Sequence, residues 1–154
     1  GTWWEVTVAY AFEVNGALLS RAQVYVLESL GEEDLDRLVV RGFEAEGIDR
    51  RLLTVVDFAL EELFTNVVKY GRTGADIRVE LRAIPGGVEG CLTAEGVADF
   101  DVTRAPSLDT RLPIDQRQPG GLGLQLTRQM VDSIEYEYQD TQRRSRVTFR
   151  KTLA

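Results

Sequence analysis

The sequence predicts an α+β domain: a two-layer sandwich in which helices cover one face of a mixed, largely antiparallel sheet. Three observations carry this. Residues 4–14 and 77–82 alternate apolar and polar, as half-buried strands do. Residues 51–70 instead repeat apolar residues at spacings of three and four, the period of an amphipathic helix. The last third of the chain reads helix, strand, strand, so helices and strands are interspersed rather than segregated into separate halves. At 154 residues, with no repeat, no low-complexity tract and no linker-like stretch, the chain reads as a single domain, 1–154.

The elements follow in order. Trp4, Val6, Val8, Tyr10, Phe12 and Val14 share one side of the first strand, and Asn15-Gly16 predicts a hairpin that returns the chain from Ala17 as a second strand. Residues 17–30 fit a strand through Val24-Tyr25-Val26, or a helix face through Leu18, Ala22 and Leu30. From Glu32 to Glu46 a helix is expected, because Glu32, Glu33, Asp34 and Asp36 crowd its positive end and Gly47 can stop it. Asp49 can cap the next helix, Arg51 to Tyr70, whose Leu52, Val55, Val56, Ala59, Leu63, Val67 and Val68 form the apolar stripe. Ile77, Val79 and Leu81 then alternate with Arg78, Glu80 and Arg82, and Pro85-Gly86-Gly87 turns into a partner strand over 88–94. Residues 102–121 hold Pro106, Pro113 and Pro119 without an apolar period, so a loop is expected there, the sort of loop that carries function. A helix over Leu122–Ser133 and strands over 134–139 and 145–153 complete the pattern.

Composition excludes several chemistries. With no histidine, the chain cannot hold a Ser/His/Asp triad, a Cys/His dyad, a phosphohistidine or a His metal ligand. Cys91 is its one cysteine, which rules out an internal disulfide or a paired-thiol redox centre and fits a reducing cytoplasm. A net charge of −7, no long apolar run and no secretory leader over 1–10 argue against nucleic acid, membrane and export. Arg143, Arg144, Arg146, Arg150 and Lys151 form a basic cluster, but no aromatic platform is interleaved with it, so it is expected to decorate the last strand.

Two features can carry chemistry. On the long helix, Glu62, Asn66, Lys69 and Tyr70 line up along one side: a carboxylate able to accept a proton, an amide oxygen suited to Mg²⁺, an ammonium suited to phosphate, and a phenol. Taken alone, the row also fits a solvated helix face. Gly120-Gly121-Leu122-Gly123-Leu124 opens a helix, where bare amides and the helix dipole can meet an anion; it also fits a plain tight turn. It matches neither the dinucleotide fingerprint nor the Walker loop.

In this order, the features resemble a family. Ala59-Leu60-Glu61-Glu62-Leu63-Phe64-Thr65-Asn66-Val67-Val68-Lys69-Tyr70-Gly71 looks like the N box of the GHKL ATPases, and Gly120 to Leu124 looks like their second glycine box. The stretch from Leu124 to Tyr136 and the last strand are most similar to the bacterial anti-sigma-factor serine/threonine kinases. Residues 32–154 carry the resemblance, and 1–30 match it poorly. It implies a Bergerat-type fold binding ATP and Mg²⁺, with Glu62 as the base, Asn66 as the metal ligand, and Lys69 and Tyr70 at the phosphate and nucleoside. Gly120, Gly121, Leu122, Gly123 and Leu124 would then cradle the phosphates, 106–120 would form a lid, and Thr148 would meet the adenine end.

At the first glycine box the sequence departs from the family. Phe100-Asp101 stands in register, but Glu95 replaces the adenine-reading Asp and Val97 the following Gly, so Glu95 and Phe100 become the candidates there. Gly96, one residue earlier, can restore the turn, and Asp99 is a substitute acid. The implied activity is phosphorylation of an antagonist protein in a partner-switching circuit that also holds a sigma factor, with a homodimer as a further assembly. The alternative is a GHKL-fold protein-binding module that has lost nucleotide chemistry.

Overall fold

The structure is a computed structural model that describes residues 3–9, 24–26, 32–71, 76–104 and 121–154. Among these residues, six strands form one sheet in the order β2-β1-β3-β4-β6-β5. They are β1 (Trp4–Ala9), β2 (Val24–Val26), β3 (Asp76–Ile84), β4 (Gly87–Glu95), β5 (Ser133–Gln139) and β6 (Arg144–Thr152). All neighbours are antiparallel except β1 and β2, which are parallel. Helices α1 (Glu32–Glu46), α2 (Leu53–Gly71) and α3 (Gly121–Met130) supply the second layer, and the α+β sandwich expected from the sequence is the fold observed.

Register decides which side chains meet the helices. Val6, Val79, Leu92, Val147 and Tyr136 stand side by side across five strands, and this row faces the core. Shifted by one residue, Glu5, Glu80, Cys91, Thr148 and Glu135 form a row on the opposite face. The core is closed by Leu38, Val39 and Phe43 from α1, Val56, Leu60 and Leu63 from α2, and Leu124 from α3. Leu60 and Leu63 are fully buried, so truncating either to Ala would cost about 2–5 kcal/mol.

Helix boundaries have local causes. Gly47 takes φ 63° and lets the Ile48 N–H reach the Phe43 carbonyl at 3.0 Å, a Schellman stop for α1. The Asp49 carboxylate accepts from the Arg51 N–H at 2.9 Å and starts a 3₁₀ turn, Arg50–Leu52, that runs into α2. The Pro85-Gly86 turn joins β3 to β4 as expected.

Two expectations are corrected. The parallel pairing of β1 and β2 means that β2 is not the returning arm of an Asn15-Gly16 hairpin, because parallel neighbours need a crossover connection. Asn15-Gly16 itself, and the outer half of the strand expected to reach Val14, lie outside the described residues. The last helix ends at Met130 and not Ser133: the Asp132 N–H bonds the Arg150 carbonyl at 2.8 Å, so the chain has already joined the sheet.

The face away from the helices is an ionic lattice. Arg82 and Arg150 flank Glu89, which is 3% exposed, while Arg78 and Arg146 flank Glu80. Arg144 pairs with Glu95 on the same face, while Lys151, on the other side of β6, pairs with Asp132. Four of the five bases of the C-terminal cluster are thus engaged by acids, three of them on the sheet and the fourth, Asp132, just before β5. Cys91, fully buried among Thr93 and Thr148, has its thiol pKa pushed up by burial.

Between α1 and α2, burial and the neighbouring Asp36 push the Asp57 carboxyl up to about 7. Its Oδ1 is buried with no hydrogen-bond partner. Below about pH 7 the folded chain keeps a proton that the unfolded chain releases near 3.8, so stability falls as pH rises through that window and levels off above it. Asp57→Asn is expected to raise stability at pH 8 by about 1–2 kcal/mol, discounted for its half exposure, and to flatten the profile. Denaturant melts at pH 5 and pH 8 check this; equal gains at both would contradict it.

Candidate nucleotide site

Two segments distant in sequence meet at the helix layer. α2 carries Glu62 and Asn66, four residues apart and so on one side, and α3 begins with the glycine turn. Gly123 is where they touch: a Cβ at this position would overlap the Glu62 carboxylate, so only glycine lets the acid lie against the first turn of α3. Burial pushes the Glu62 carboxyl pKa up, the direction that makes a carboxylate a better proton acceptor near neutrality. The free amides and positive end of α3 lie at the same place, suited to an anion.

Asn66 is 3% exposed, and its Nδ2 donates to the Glu62 carbonyl at 2.6 Å. Because a carbonyl can only accept, this bond assigns the nitrogen and leaves Oδ1 as the acceptor atom of the amide. An amide oxygen of that kind suits a hard cation, so the residues present fit a Mg²⁺-bound phosphate group. Among the described residues no group of three or more Asp, Glu or Cys is arranged to hold a metal by itself, so a cation here would need the ligand's own oxygens.

Beside Asn66 lies a hollow of about 20 Å³, lined by Val67, Val97, Ala98, Phe100, Tyr136 and Ser145 among others. Its wall is mainly apolar, which suits a planar base, but at this size it is a water-sized hollow that must widen to admit one. The segment after β4 shapes it. Gly96 takes φ 73°, one residue before the position where the family pattern has its glycine, and Val97 is thereby free to turn inward and be buried. Two tyrosines of β5 pin this segment: Tyr138 donates to the Val97 carbonyl at 2.8 Å, and Tyr136 donates to Asp99 at 2.7 Å while accepting from the Phe100 N–H at 3.0 Å. Burial and the Asp99 contact push the Tyr136 pKa up and keep the phenol protonated.

The structure thus brings Glu62, Asn66, Gly123 and Phe100 together around one region. Leu124 is buried in the core beneath it. Gly121 and Leu122 open α3, and Lys69 and Tyr70 close α2, but the side chains of Leu122, Lys69 and Tyr70 lie outside the described residues, as do Gly120 and the expected lid over 106–120.

Two candidates are placed elsewhere. Glu95 continues the outward parity of Glu89, Cys91 and Thr93 and pairs with Arg144 at 2.7 Å on the face away from the helices. Thr148 lies on that face too, where its hydroxyl meets Cys91. The sheet separates both from the cavity, so neither lines it. Ser145 does, and reading from residues missed it; the strand's two-residue period, which turns Val147 and Phe149 inward, turns Ser145 inward with them. Since the Glu95–Arg144 pair is exposed, Glu95→Gln is expected to cost no more than about 1 kcal/mol in a denaturant melt. A larger loss would mean that Glu95 holds the segment that follows it.

Comparison with known families gives an independent result. Residues 33–151 match the model of the histidine kinase-like ATPase domain, and the chain belongs to that family, whose members are ATP-binding domains of the GHKL type. Among curated proteins, none matches the chain at a significant level. Among the described residues, no helix is long and apolar enough to cross a membrane.

Proposed function

We propose that this protein is an ATP- and Mg²⁺-dependent serine/threonine protein kinase of the anti-sigma regulatory type. Its substrate would be a small antagonist protein, its second partner a sigma factor, and its setting transcription regulation in the cytoplasm. The observation that carries the kinase reading is the contact of the Glu62 carboxylate with Gly123, which sets a partly buried base at the helix end suited to phosphate.

In this reading the base of the nucleotide enters the cavity between Val97, Phe100 and Tyr136, and the phosphates run past Asn66 to the α3 amides. Mg²⁺ held by Asn66 Oδ1 would neutralise phosphate charge. Glu62 takes the proton of the acceptor hydroxyl as its oxygen bonds to the γ-phosphorus; the bond from that phosphorus to the bridging oxygen breaks, and ADP leaves with the electron pair. The chain's contribution is mostly positioning and electrostatics, which is what phosphoryl transfer asks of a protein.

Incubation with γ-labelled ATP and the cognate antagonist tests this. Label on a serine or threonine of the antagonist is the expected result. Mg-ATP binding followed only by phosphate release would point to an ATPase instead. A second reading, a protein-binding module without nucleotide chemistry, draws on the outward placement of Glu95 and Thr148; absence of binding at millimolar Mg-ATP would favour it.

A further inference from the structure

The hollow beside Asn66 has room for about one water, so a base enters only if a wall moves. Most of its walls are fixed. Asn66 and Val67 stand on α2, which the fully buried Leu60 and Leu63 anchor in the core. Ser145 and Val147 stand on β6, which is paired along both edges, with β4 and with β5. Tyr136 belongs to the β5 ladder.

The remaining wall, residues 97–101, runs between β4 and the short 3₁₀ turn Val102–Arg104 and belongs to no strand or helix. Gly96, just before it, takes φ 73°; glycine exchanges such a torsion for other values at little steric cost, so it can serve as the hinge. Val97 closes the space. Its side chain is 3% exposed, lines the hollow and joins the core cluster. The ties that hold it come from β5 and the turn after it: the Val97 N–H bonds the Arg143 carbonyl at 3.0 Å, and Tyr138 donates to the Val97 carbonyl at 2.8 Å. The Tyr136 hydroxyl adds two more, to Asp99 at 2.7 Å and from the Phe100 N–H at 3.0 Å. The Asp99 bond is exposed, so water can replace it as the segment moves.

Resting on the nucleotide-site reading above, we infer that Val97 sets the nucleotide affinity of this protein: its side chain fills part of the base's place, and a base binds by displacing it as residues 97–101 swing out on Gly96. Tyr136 is a positioning residue whose hydroxyl latches that segment shut. A protein whose binding-competent arrangement is a minor fraction binds with its affinity reduced by that fraction, and a change that favours the open arrangement recovers the loss. The sign is the signature. Val97→Ala, which removes the branched methyls from the space, and Tyr136→Phe, which keeps the ring and loses the latch, should each bind Mg-ATP more tightly than the wild type.

Calorimetric titration of the wild type, Val97→Ala and Tyr136→Phe with Mg-ATP, beside a thermal melt of each, tests the inference. Val97→Ala is expected to bind about tenfold more tightly although it melts at a lower temperature, and Tyr136→Phe severalfold more tightly. Were the two residues purely structural, affinity and melting temperature would fall together. An affinity at or below the wild-type value in either folded variant overturns the inference and leaves the nucleotide site standing. Tyr136→Phe keeps the apolar packing, so it decides the matter even where Val97→Ala fails to fold. Absence of binding by the wild type and both variants at millimolar Mg-ATP overturns the nucleotide reading and this inference with it.

Discussion

Glu62→Gln is expected to lower phosphotransfer by about 10²–10⁴-fold, the usual contribution of a positioned general base, while Mg-ATP binds no more weakly than to the wild type. Gln keeps the shape and packing against Gly123 but cannot take a proton. It also removes a negative charge from the helix end where the phosphates would sit, so affinity has no reason to fall. The pH profile gives a second signature. Burial raises the Glu62 pKa, so activity should fall as pH drops through a window lying above the ordinary carboxylate value of 4.5, because only the ionised form accepts a proton. Single-turnover transfer with labelled ATP, measured across pH for both proteins, checks both statements. An active Gln variant, or a wild-type rate that rises with acid, would remove Glu62 from the chemistry.

Gly123→Ala is expected to disturb the same contact from the other side. A methyl group there would occupy the position of the Glu62 carboxylate, and either the acid swings away or α2 and α3 separate. Overpacking of this kind costs about 1–3 kcal/mol of stability, and displacing the base should remove most of the phosphotransfer. The distinctive outcome is coupling. If the clash is with Glu62, then Glu62→Ala relieves it, and the double variant should be more stable than the sum of the single changes by about 0.5–3 kcal/mol. Strict additivity in denaturant melts would show that Gly123 matters for another reason, such as the helix start itself.

Much of this architecture was legible because it is written in short-range patterns. α2 declared itself through a stripe at helical period, the β3–β4 hairpin through alternation around Pro85-Gly86, and α1 through its acidic start and Gly47 stop. The pairing of β1 with β2 was not legible, because the choice of a neighbour and its direction depend on contacts far away in the chain, and Asn-Gly speaks only for its own turn. The site shows the same division. Glu62, Asn66 and the glycine turn were found from residue type and order, yet their contact at Gly123 is a tertiary fact. Glu95 and Thr148 were chosen by motif register without asking which face of the sheet they occupy. The alternation of Leu92 and Ala94 with Thr93, and of Val147 and Phe149 with Thr148, holds that answer and points to Ser145 in their place.

The crystal structure of the protein with Mg²⁺ and a non-hydrolysable ATP analogue tests the central claim most directly. The base should lie between Val97, Phe100 and Tyr136 with Ser145 in reach, and the phosphates should pass Asn66 to the Gly121–Gly123 amides beside Glu62. A nucleotide bound on the outer face near Glu95 and Thr148, or a cavity that stays closed to it at saturating concentration, would contradict the account.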